Sequence, residues 1–445
     1  MASTYLSKTL SGSPTDNNKW TWSAWVKRAK LGSGQVLFYA DDGSANYATF
    51  IRFRDTDQLD FSNQWSASND SVLLTNRRFR DTSAFYHIQV VLDTSNSTAA
   101  DRQIVYVNGV RETSFATETT ATSGKGSTIN DGYEHRIGRG NNSFGSDYFD
   151  GNMTHIHFAD GQAYAPTVFG ETDSTSGIWK PKTAPSVTYG TNGFFLKFEN
   201  SGAMGTDSSG NSNTFTVSGT LTQNVDTPSN NFATINTLQG AIASGLTLIN
   251  GNLTIDGNTG TAWRSLPATL GVSTGKWYYE VKVKNLADNV RIGLVDVDQA
   301  QQLNGYFNNL SRGYAYNNSG EKSNNNSSAS YGNSYTTNDI IGIAMDLDNS
   351  KLYFSKNGVF QNSGDPTSGS TGTGSAYDIS SSYTYAPCVA TYQPTDKLEC
   401  NFGQGYFGTT AVSSANADDG GLGIMEYDVP ANYRVLCTKN IKDYG

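Results

Sequence analysis

Apolar and polar residues alternate over many short stretches of the chain, which is the pattern of β-strands that bury one face. The clearest stretch is 339–360, in which small or polar residues alternate with four apolar residues of one parity: Ile341, Ile343, Met345 and Leu347. A polar turn follows at 348–350, and Asn357-Gly358 supplies the positive φ angles that a two-residue hairpin requires. The stretch therefore predicts two consecutive β-hairpins.

A second stretch, 85–110, repeats this pattern with a longer turn and ends in Asn108-Gly109. Near the start of the chain, Trp20 and Trp22 should share one face of a strand and Trp25 should lie on the opposite face. No apolar period of 3.6 residues persists for a dozen residues, so neither a long helix nor a coiled coil is predicted. The chain should be an all-β protein that uses one architecture twice.

The stretch 223–237 combines a proline with many asparagines and shows no alternation, which is typical of a linker. We therefore predict two antiparallel, jelly-roll-like β-sandwich domains, at 1–222 and 246–410. An extended linker at 223–245 joins them, and a C-terminal extension covers 411–445. The length of 445 residues is compatible with two or three domains.

Several local patterns add expectations about individual segments. Residues 166–170 should form a single helical turn, and the Thr, Ser and Gly of 114–130 indicate an exposed loop. A strand at 214–220 is expected to pair back on a strand at 193–199. In the tail, 427–437 is expected to add a closing strand.

Composition supports the all-β prediction and narrows the function. The chain has 46 Gly, 25 Tyr and 21 Phe but only 16% charged residues, a mixture rich in turn and strand formers. A net charge of -9 and the lack of a basic run argue against nucleic acid and anionic membranes as partners. No apolar stretch approaches the roughly 20 residues of a membrane helix, and the N-terminus lacks the apolar core of a signal peptide. We expect a protein made and folded in a cytoplasm, with no membrane insertion.

The three cysteines, Cys388, Cys400 and Cys437, are too few and too odd in number for a disulfide framework. Their spacing does not suit zinc either. They are expected to be buried thiols in strands.

Several motifs in the second half resemble the SPRY (B30.2-like) domain in their order and spacing. They are GKWYYEVKV at 275–283, VRIGLVDVD at 290–298, GYAY at 313–316, the stretch 339–358, APCVATYQ and LECNFGQ. The first half is similar to a concanavalin A-like, laminin-G type sandwich in WTWSAWVKR, FYHIQVVLD, IVYVNGV and FDGNMTHIHFADGQ. Each half thus resembles a domain type that binds ligands.

Other phrases resemble structural proteins of marine tailed phages: FADGQAYAPTVFGETD, GIWKPK, GTNGFFLKFENSGAMGTDSSGNSNTF, DTPSNNFAT and VPANYRVLCTKN. This resemblance implies a tail or head fibre or another surface-displayed virion component, assembled in the host cytoplasm. It implies other virion proteins as partners, and fibre architecture implies a homotrimer. The sequence departs from such proteins in one respect, because no virion-anchoring segment or trimeric coiled coil is recognisable.

Catalytic and metal-binding patterns are weak. The paired carboxylates of a glucanase are not seen, and the pair Asp346 and Asp348 is expected to cap a hairpin turn. His155 and His157 should point to one side of a strand, where they could ligate a metal or simply line a surface. Two Asp and Asn clusters could bind calcium, although ordinary turns explain them too: Asn141, Asn142, Asp147 and Asp150, and Asp207, Asn211 and Asn213. No cofactor is expected other than such a structural calcium ion.

The strongest candidate for a ligand site is the Tyr- and Asn-rich region 304–332. Tyrosine offers a flat apolar face with a polar tip, and asparagine both donates and accepts hydrogen bonds, so together they suit a glycan or a protein partner. The SPRY resemblance implies binding through loops at one end of the sandwich. The alternative is a solvated loop whose tyrosines are buried at strand ends. The candidate residues are Tyr306, Tyr314, Tyr316, Asn317, Asn318 and Tyr331.

Three functions follow from these patterns. The first is a non-enzymatic virion protein whose sandwich loops recognise a host-surface glycan or protein. The second is a purely architectural head decoration or fibre protein that binds other virion proteins. The third, a polysaccharide-degrading enzyme, would require a carboxylate pair brought together from distant strands.

Overall fold

The computed structural model describes residues 4–10, 12–44, 46–65, 68–141, 144–238, 245–303 and 305–445. The chain divides into two compact units, Met1–Gln223 and Asn224–Gly445. The regular secondary structure of both units is mainly antiparallel β-sheet, which confirms the all-β prediction. No helix in these residues is long and apolar enough to cross a membrane.

In the described part of the first unit, the strands are β1 (Tyr5–Thr9), β2 (Lys19–Arg28), β3 (Gln35–Asp41), β4 (Ala48–Phe53), β5 (Gln58–Trp65), β6 (Ser68–Arg78), β7 (Tyr86–Asp93), β8 (Gln103–Val107), β9 (Val110–Arg111), β10 (Phe115–Thr119), β11 (Glu134–Ile137), β12 (Gly151–Asp160), β13 (Gly170–Thr172), β14 (Trp179–Pro181), β15 (Phe194–Leu196) and β16 (Thr216–Ser218). Short 3₁₀ turns lie at Ala99–Asp101 and Pro166–Val168, the second where a helical turn was predicted. One sheet has the order β10-β6-β5-β4-β3-β11-β1-β16 and the other β15-β12-β2-β7-β8-β9, while β13 and β14 form a separate hairpin.

The core of the first unit uses the inward-facing residues of both sheets. Trp20 and Trp22 lie in this core, and Trp25 lies on the opposite face of β2, as the sequence predicted. There Trp25 stacks on His87 with ring centroids 4.8 Å apart. Both faces of β2 are therefore buried.

Chain segment 162–190 covers that outer face of the sheet. Its Trp179 donates a hydrogen bond from Nε1 to His87 Nδ1 at 3.0 Å, and Gln89 Nε2 donates to Tyr164 O at 2.7 Å. Because Trp179 occupies Nδ1, the proton of the neutral His87 ring lies on Nε2, which is 2.8 Å from Ser23 Oγ. Burial lowers the pKa of His87 to about 3.

Two expectations about the first unit are wrong. Residues 216–218 form β16, which pairs with β1 rather than with the strand at 194–196. The predicted exposed loop at 114–130 contains β10, which adds an edge to β6, and its Ala121 and Ile129 are buried in the core. In both cases the choice of partner depends on long-range contacts that local alternation does not encode.

In the described part of the second unit, the strands are β17 (Leu246–Ile249), β18 (Thr254–Asn258), β19 (Arg264–Pro267), β20 (Lys276–Asn285), β21 (Val290–Asp296), β22 (Gly313–Asn317), β23 (Glu321–Asn324), β24 (Ser327–Ser330), β25 (Ile340–Asp346), β26 (Lys351–Lys356), β27 (Val359–Phe360), β28 (Tyr377–Asp378), β29 (Tyr385–Thr391), β30 (Lys397–Asn401), β31 (Tyr406–Phe407), β32 (Thr410–Ala411) and β33 (Arg434–Val435). Short helices lie at Val297–Ala300 and Thr438–Tyr444, and 3₁₀ turns at Phe307–Asn309, Gln361–Ser363 and Gly369–Thr371.

One sheet of this unit has the order β17-β18-β30-β20-β25-β26-β27, with β28 on β26 and β33 parallel to β20. The other has the order β19-β29-β21-β22-β23-β24, and β31 pairs with β32. The predicted double hairpin is confirmed, because β25 pairs with β26 and β26 with β27. Asp346 caps the first turn by accepting hydrogen bonds from Asn349 N at 2.9 Å and Nδ2 at 2.8 Å, while Asp348 accepts one from Gly275 N at 2.8 Å.

The C-terminal segment 413–437 covers the outer face of the larger sheet. Met425, Tyr433 and Val435 are buried there against Tyr278 and Tyr353. The predicted closing strand is present only as the two residues of β33. The residues from 411 onward are thus part of the second unit.

Much of the predicted linker also packs into the second unit. Phe232, Ala233 and Ile235 are buried in its hydrophobic clusters, and Gln404 Nε2 donates a hydrogen bond to Ala233 O at 2.6 Å. Residues 239–244 of the predicted linker lie outside the described residues. The compact units therefore meet in sequence at Gln223 and Asn224, at the start of that stretch.

Candidate functional site

The predicted Tyr- and Asn-rich site is not a single surface. Tyr316 and Tyr331 are buried in the core of the second unit, with 0% and 8% of their surfaces exposed. The Tyr316 ring lies 5.7 Å from that of Tyr331 and 5.4 Å from that of Phe354, and its hydroxyl donates to Asn333 O. Burial raises the pKa of both phenols. These two tyrosines stabilise the sandwich and cannot contact a ligand, which corrects the prediction for them.

The two asparagines beside them hold the turn in place. Asn317 is buried and its Oδ1 accepts a hydrogen bond from Ser323 Oγ at 2.8 Å. Asn318 Oδ1 accepts from Val290 N at 3.2 Å, and its Nδ2 donates to Asp288 O at 3.1 Å. Their side chains are therefore engaged within the fold.

Tyr314 lies elsewhere, at the end of the sandwich where β21 ends and β22 begins. It is half-buried, and its ring lies 5.1 Å from that of Tyr377 and 6.1 Å from that of Tyr385. At the same end, the guanidinium of Arg312 lies 4.1 Å from the ring centre of Tyr383.

Tyr306 belongs to a different cluster at the opposite end of the same sheet, which we call the Arg291 patch: Arg291, Trp263, Tyr306 and Tyr392. The Arg291 guanidinium lies 4.4 Å from the ring centre of Trp263 and 4.3 Å from that of Tyr306. Trp263 lies 5.5 Å from Tyr306 and 5.3 Å from Tyr392 between ring centroids. All four side chains are half-buried.

Strand order explains why these residues meet. The strands β19, β29 and β21 are neighbours, and Thr391 of β29 pairs with both Arg264 and Val290. Trp263 precedes β19, Arg291 is the second residue of β21, and Tyr392 follows β29. Residues distant in sequence therefore lie at one end of the sheet.

Tyr306 is brought to the patch by segment 305–312, which packs on the outer face of that sheet. Phe307 of this segment is buried against Ala315 and Cys388. Ser265 Oγ fixes the segment, because it donates to Gly305 O at 2.7 Å and accepts from Phe307 N at 3.0 Å.

A short chain of polar groups orients the guanidinium. Arg291 Nη1 donates to Asn308 Oδ1 at 2.5 Å, and Asn308 Nδ2 donates to Ser323 Oγ at 2.9 Å. Burial lowers the pKa of Arg291, although an arginine remains charged at neutral pH. In the part of the chain that the structure describes, Arg291 forms no ion pair within 4.0 Å.

Sequence reasoning found Tyr306 but missed Trp263, Arg291 and Tyr392. The available signal was an arginine or aromatic residue near the end of a motif, Arg291 in VRIGLVDVD and Tyr392 in APCVATYQ, whereas no strand was predicted beside Trp263. That signal became specific only once the strand order placed the three ends side by side.

The residues considered for metal binding do not form a metal site. His155 has a φ of 48° at a β-bulge in β12, which disrupts the expected alternation. His157 is buried and stacks on Phe195, with ring centroids 3.8 Å apart. Its Nδ1 shares a hydrogen bond with Tyr189 OH at 2.8 Å. Burial lowers the pKa of His157. Among the described residues, no three His, Cys, Asp or Glu side chains are grouped to hold a metal ion.

The acidic candidates serve the fold. Asp147 lies 3.5 Å from Arg52 Nη1, and burial raises the pKa of its carboxyl. The main-chain oxygen of Asp150 accepts from Ala29 N at 2.9 Å. Asp207 accepts main-chain hydrogen bonds from Ser209 and Asn213, both at 2.8 Å, as an ordinary turn does. Asn142 lies outside the described residues.

The three cysteines are free and buried, as predicted. Burial raises the pKa of Cys388, Cys400 and Cys437. Cys388 lies in β29 and Cys400 in β30, whereas Cys437 directly precedes the C-terminal helix.

Comparison with protein families identifies the two domain types. Residues 276–405 match the SPRY domain, and residues 3–167 match the concanavalin A-like lectin/glucanases superfamily. The chain therefore combines an N-terminal concanavalin A-like domain with a C-terminal SPRY domain.

Individual proteins are similar over smaller parts. The chain is 34% identical over 96 residues to the ATP-dependent RNA helicase DDX1 of Xenopus laevis and 35% identical over 97 residues to that of Drosophila melanogaster. Each match covers 22% of this chain but only 12% and 13% of those helicases.

Solved structures that are similar to this chain include the SPRY domain of human HERC1. The two are 17% identical, the alignment covers 37% of this chain and 96% of that chain, and the TM-score is 0.29. A SAP-like pentraxin from Limulus polyphemus is 16% identical over an alignment that covers 49% of this chain and 89% of the pentraxin chain, with a TM-score of 0.30. A putative carbohydrate binding protein from Bacteroides ovatus is 15% identical over an alignment that covers 49% of this chain and 58% of that chain, with a TM-score of 0.33.

Proposed function

We propose that this protein is a non-enzymatic component of a tailed-phage particle, displayed on its surface, that recognises a host-surface glycan or protein. The Arg291 patch is the observation that carries the recognition part of the proposal. The virion part rests on the resemblance of several sequence phrases to structural proteins of marine tailed phages.

The composition of the patch supports ligand recognition. Three aromatic rings and one arginine lie together, half-buried, at one end of a sheet. Such rings offer large contact areas at a small entropic cost, and Trp, Tyr and Arg dominate binding energy in interfaces. The patch is held by the sheet and by segment 305–312, which Ser265 anchors, so little ordering would be needed on binding.

A cell-binding experiment tests this proposal. The fluorescently labelled chain is incubated with a panel of marine bacteria, with and without the double substitution Trp263→Ala and Tyr392→Ala. We expect saturable binding to a host strain and at least a tenfold loss in the double variant, because removal of a central aromatic side chain typically costs about 2 kcal/mol or more. Competition with phage adsorption would tie the binding to infection.

The matched control is Tyr383→Ala, which removes another ring stacked on an arginine, at the opposite end of the same sheet. This variant should bind as the unchanged chain does. Equal binding by the patch variant and the control would remove the Arg291 patch from the proposal. If the folded chain ignored all cells yet bound stripped phage particles, the architectural function would replace recognition.

A further inference from the structure

We propose that the Arg291 patch binds an acidic saccharide, one whose sugar ring carries a carboxylate or a sulfate group. This inference rests on the proposed recognition function and specifies its ligand class. The anion would pair with Arg291 while the apolar face of the sugar stacks on Trp263 or Tyr392.

The first argument is the uncompensated charge. Other arginines of the same unit are paired: Arg312 lies 2.5 Å from Asp296, and Arg434 lies 3.7 Å from Asp419. Arg291 has no such partner in the described residues. The carboxylate whose charge reaches it, Glu321, is not within ion-pair distance and instead accepts a hydrogen bond from Ser319 Oγ at 3.0 Å.

The second argument is the orientation of the guanidinium. The ring centres of Trp263 and Tyr306 lie 4.4 Å and 4.3 Å from it, and its Nη1 donates to Asn308. Nη1 provides the one hydrogen bond that the guanidinium makes within the described part of the chain. Its other N–H groups remain available to a ligand, and the planar fork of a guanidinium matches a carboxylate or a sulfate.

The third argument is the local environment. Because the guanidinium is partly desolvated between rings, an anion that reaches it would interact more strongly than with an arginine surrounded by water. The net charge of -9 opposes general attraction of polyanions. Binding should therefore depend on this one cation and its rings, not on a broad basic surface.

Four probes test the inference by calorimetric titration of the full chain. They are trigalacturonic acid, its methyl ester, a sulfated galactan oligosaccharide and a neutral galactan oligosaccharide of similar length. We expect at least one acidic probe to bind tenfold or more tightly than its neutral counterpart. The carboxylate and sulfate probes distinguish the two sources of the anion.

Three substitutions show which side chains of the patch cause the preference for an acidic probe. Arg291→Gln should abolish the preference for the acidic probe, and Arg291→Lys should retain part of it, because lysine keeps the charge but not the fork. Trp263→Ala should weaken the binding of acidic and neutral probes alike. The comparison of trigalacturonic acid with its ester uses unchanged protein, so it stands even if Arg291→Gln fails to fold.

Equal affinity for acidic and neutral probes, no binding of any probe, or a preference that survives in a folded Arg291→Gln variant would each overturn the inference. The proposed function would survive those outcomes if cell binding still depended on Trp263 and Tyr392. Loss of that dependence would remove the Arg291 patch from the proposed function, and absence of any cell binding would refute the recognition function itself.

Discussion

The surroundings of Glu280 change its acid–base chemistry. It lies on the outer face of β20 beneath the C-terminal segment, with 0% of its surface exposed. Its carboxylate accepts hydrogen bonds from the main-chain N–H groups of Glu426 and Tyr427, both at 2.9 Å. Despite these donors, burial raises the pKa of Glu280 from 4.5 to about 7. Desolvation thus outweighs hydrogen bonding at this site.

This raised pKa predicts the pH dependence of stability. The folded state holds the proton of Glu280 up to about pH 7, whereas the unfolded state releases it near pH 4.5. The contribution of Glu280 to the free energy of unfolding should therefore fall as pH rises from 4.5 to 7, by an amount on the order of 3 kcal/mol. The histidines of the first unit, whose pKa values are lowered by burial, contribute in the opposite direction. Urea unfolding at a series of pH values measures this slope.

Glu280→Gln should remove the Glu280 contribution from that slope, because glutamine does not titrate, even though it loses one acceptor for the two N–H groups. Glu118→Gln, at an exposed position in β10, is the control and should leave the slope unchanged. An unchanged slope in the Glu280 variant would show that another group is responsible.

At the scale of elements, each unit uses an irregular segment to cover the outer face of a sheet, and an aromatic ring of that segment packs over an Asn-Gly turn. In the first unit Trp179 covers Gly109, where an added Cβ would lie 3.0 Å from the ring. In the second unit Tyr427 covers Gly358, where it would lie 2.7 Å from the ring. The glycine thus serves both the turn and the packing of the cover.

Gly358→Ala separates these two roles when it is compared with Gly43→Ala. Both glycines have positive φ, 80° and 89°, but nothing lies within 4 Å of a Cβ at Gly43. Gly43→Ala should cost about 1 to 2 kcal/mol from backbone strain. Gly358→Ala should cost about 1 to 3 kcal/mol more, because its Cβ overlaps Tyr427. Chemical denaturation measures both, and equal losses would contradict a packing role for Gly358.

At the scale of the whole molecule, the chain consists of two compact units with separate hydrophobic cores. The second core includes Ala233 and Ile235, which precede the first strand of that unit. The segment was predicted as a linker because it lacks alternation. It packs nonetheless, since irregular backbone can bury apolar side chains when side chains such as Gln404 satisfy its polar groups.

Two fragments test where the second unit begins. The fragment 224–445 should fold and unfold cooperatively, whereas 246–445 lacks three buried hydrophobic residues: Phe232, Ala233 and Ile235. The shorter fragment should be less stable by several kcal/mol, since truncation of one large buried side chain alone costs about 3 kcal/mol or more. Thermal unfolding of both fragments gives the comparison. Equal stability would show that the segment contributes nothing to the core.

The sequence by itself determined the elements whose signals are local. Alternation and Asn-Gly turns predicted the double hairpin of β25 to β27, the opposite faces of Trp22 and Trp25, and the all-β class. These predictions succeeded because the side-chain period of a strand and the positive φ of a turn are properties of neighbouring residues.

Only the tertiary structure decided which residues reach the surface and which meet. Tyr306 and Tyr316 belong to the same Tyr-rich stretch, yet one lies in the Arg291 patch and the other in the core. Arg291, Trp263 and Tyr392 meet because β19, β29 and β21 pair side by side. Strand pairing over such distances depends on the packing of the whole sandwich, and no local pattern encodes it.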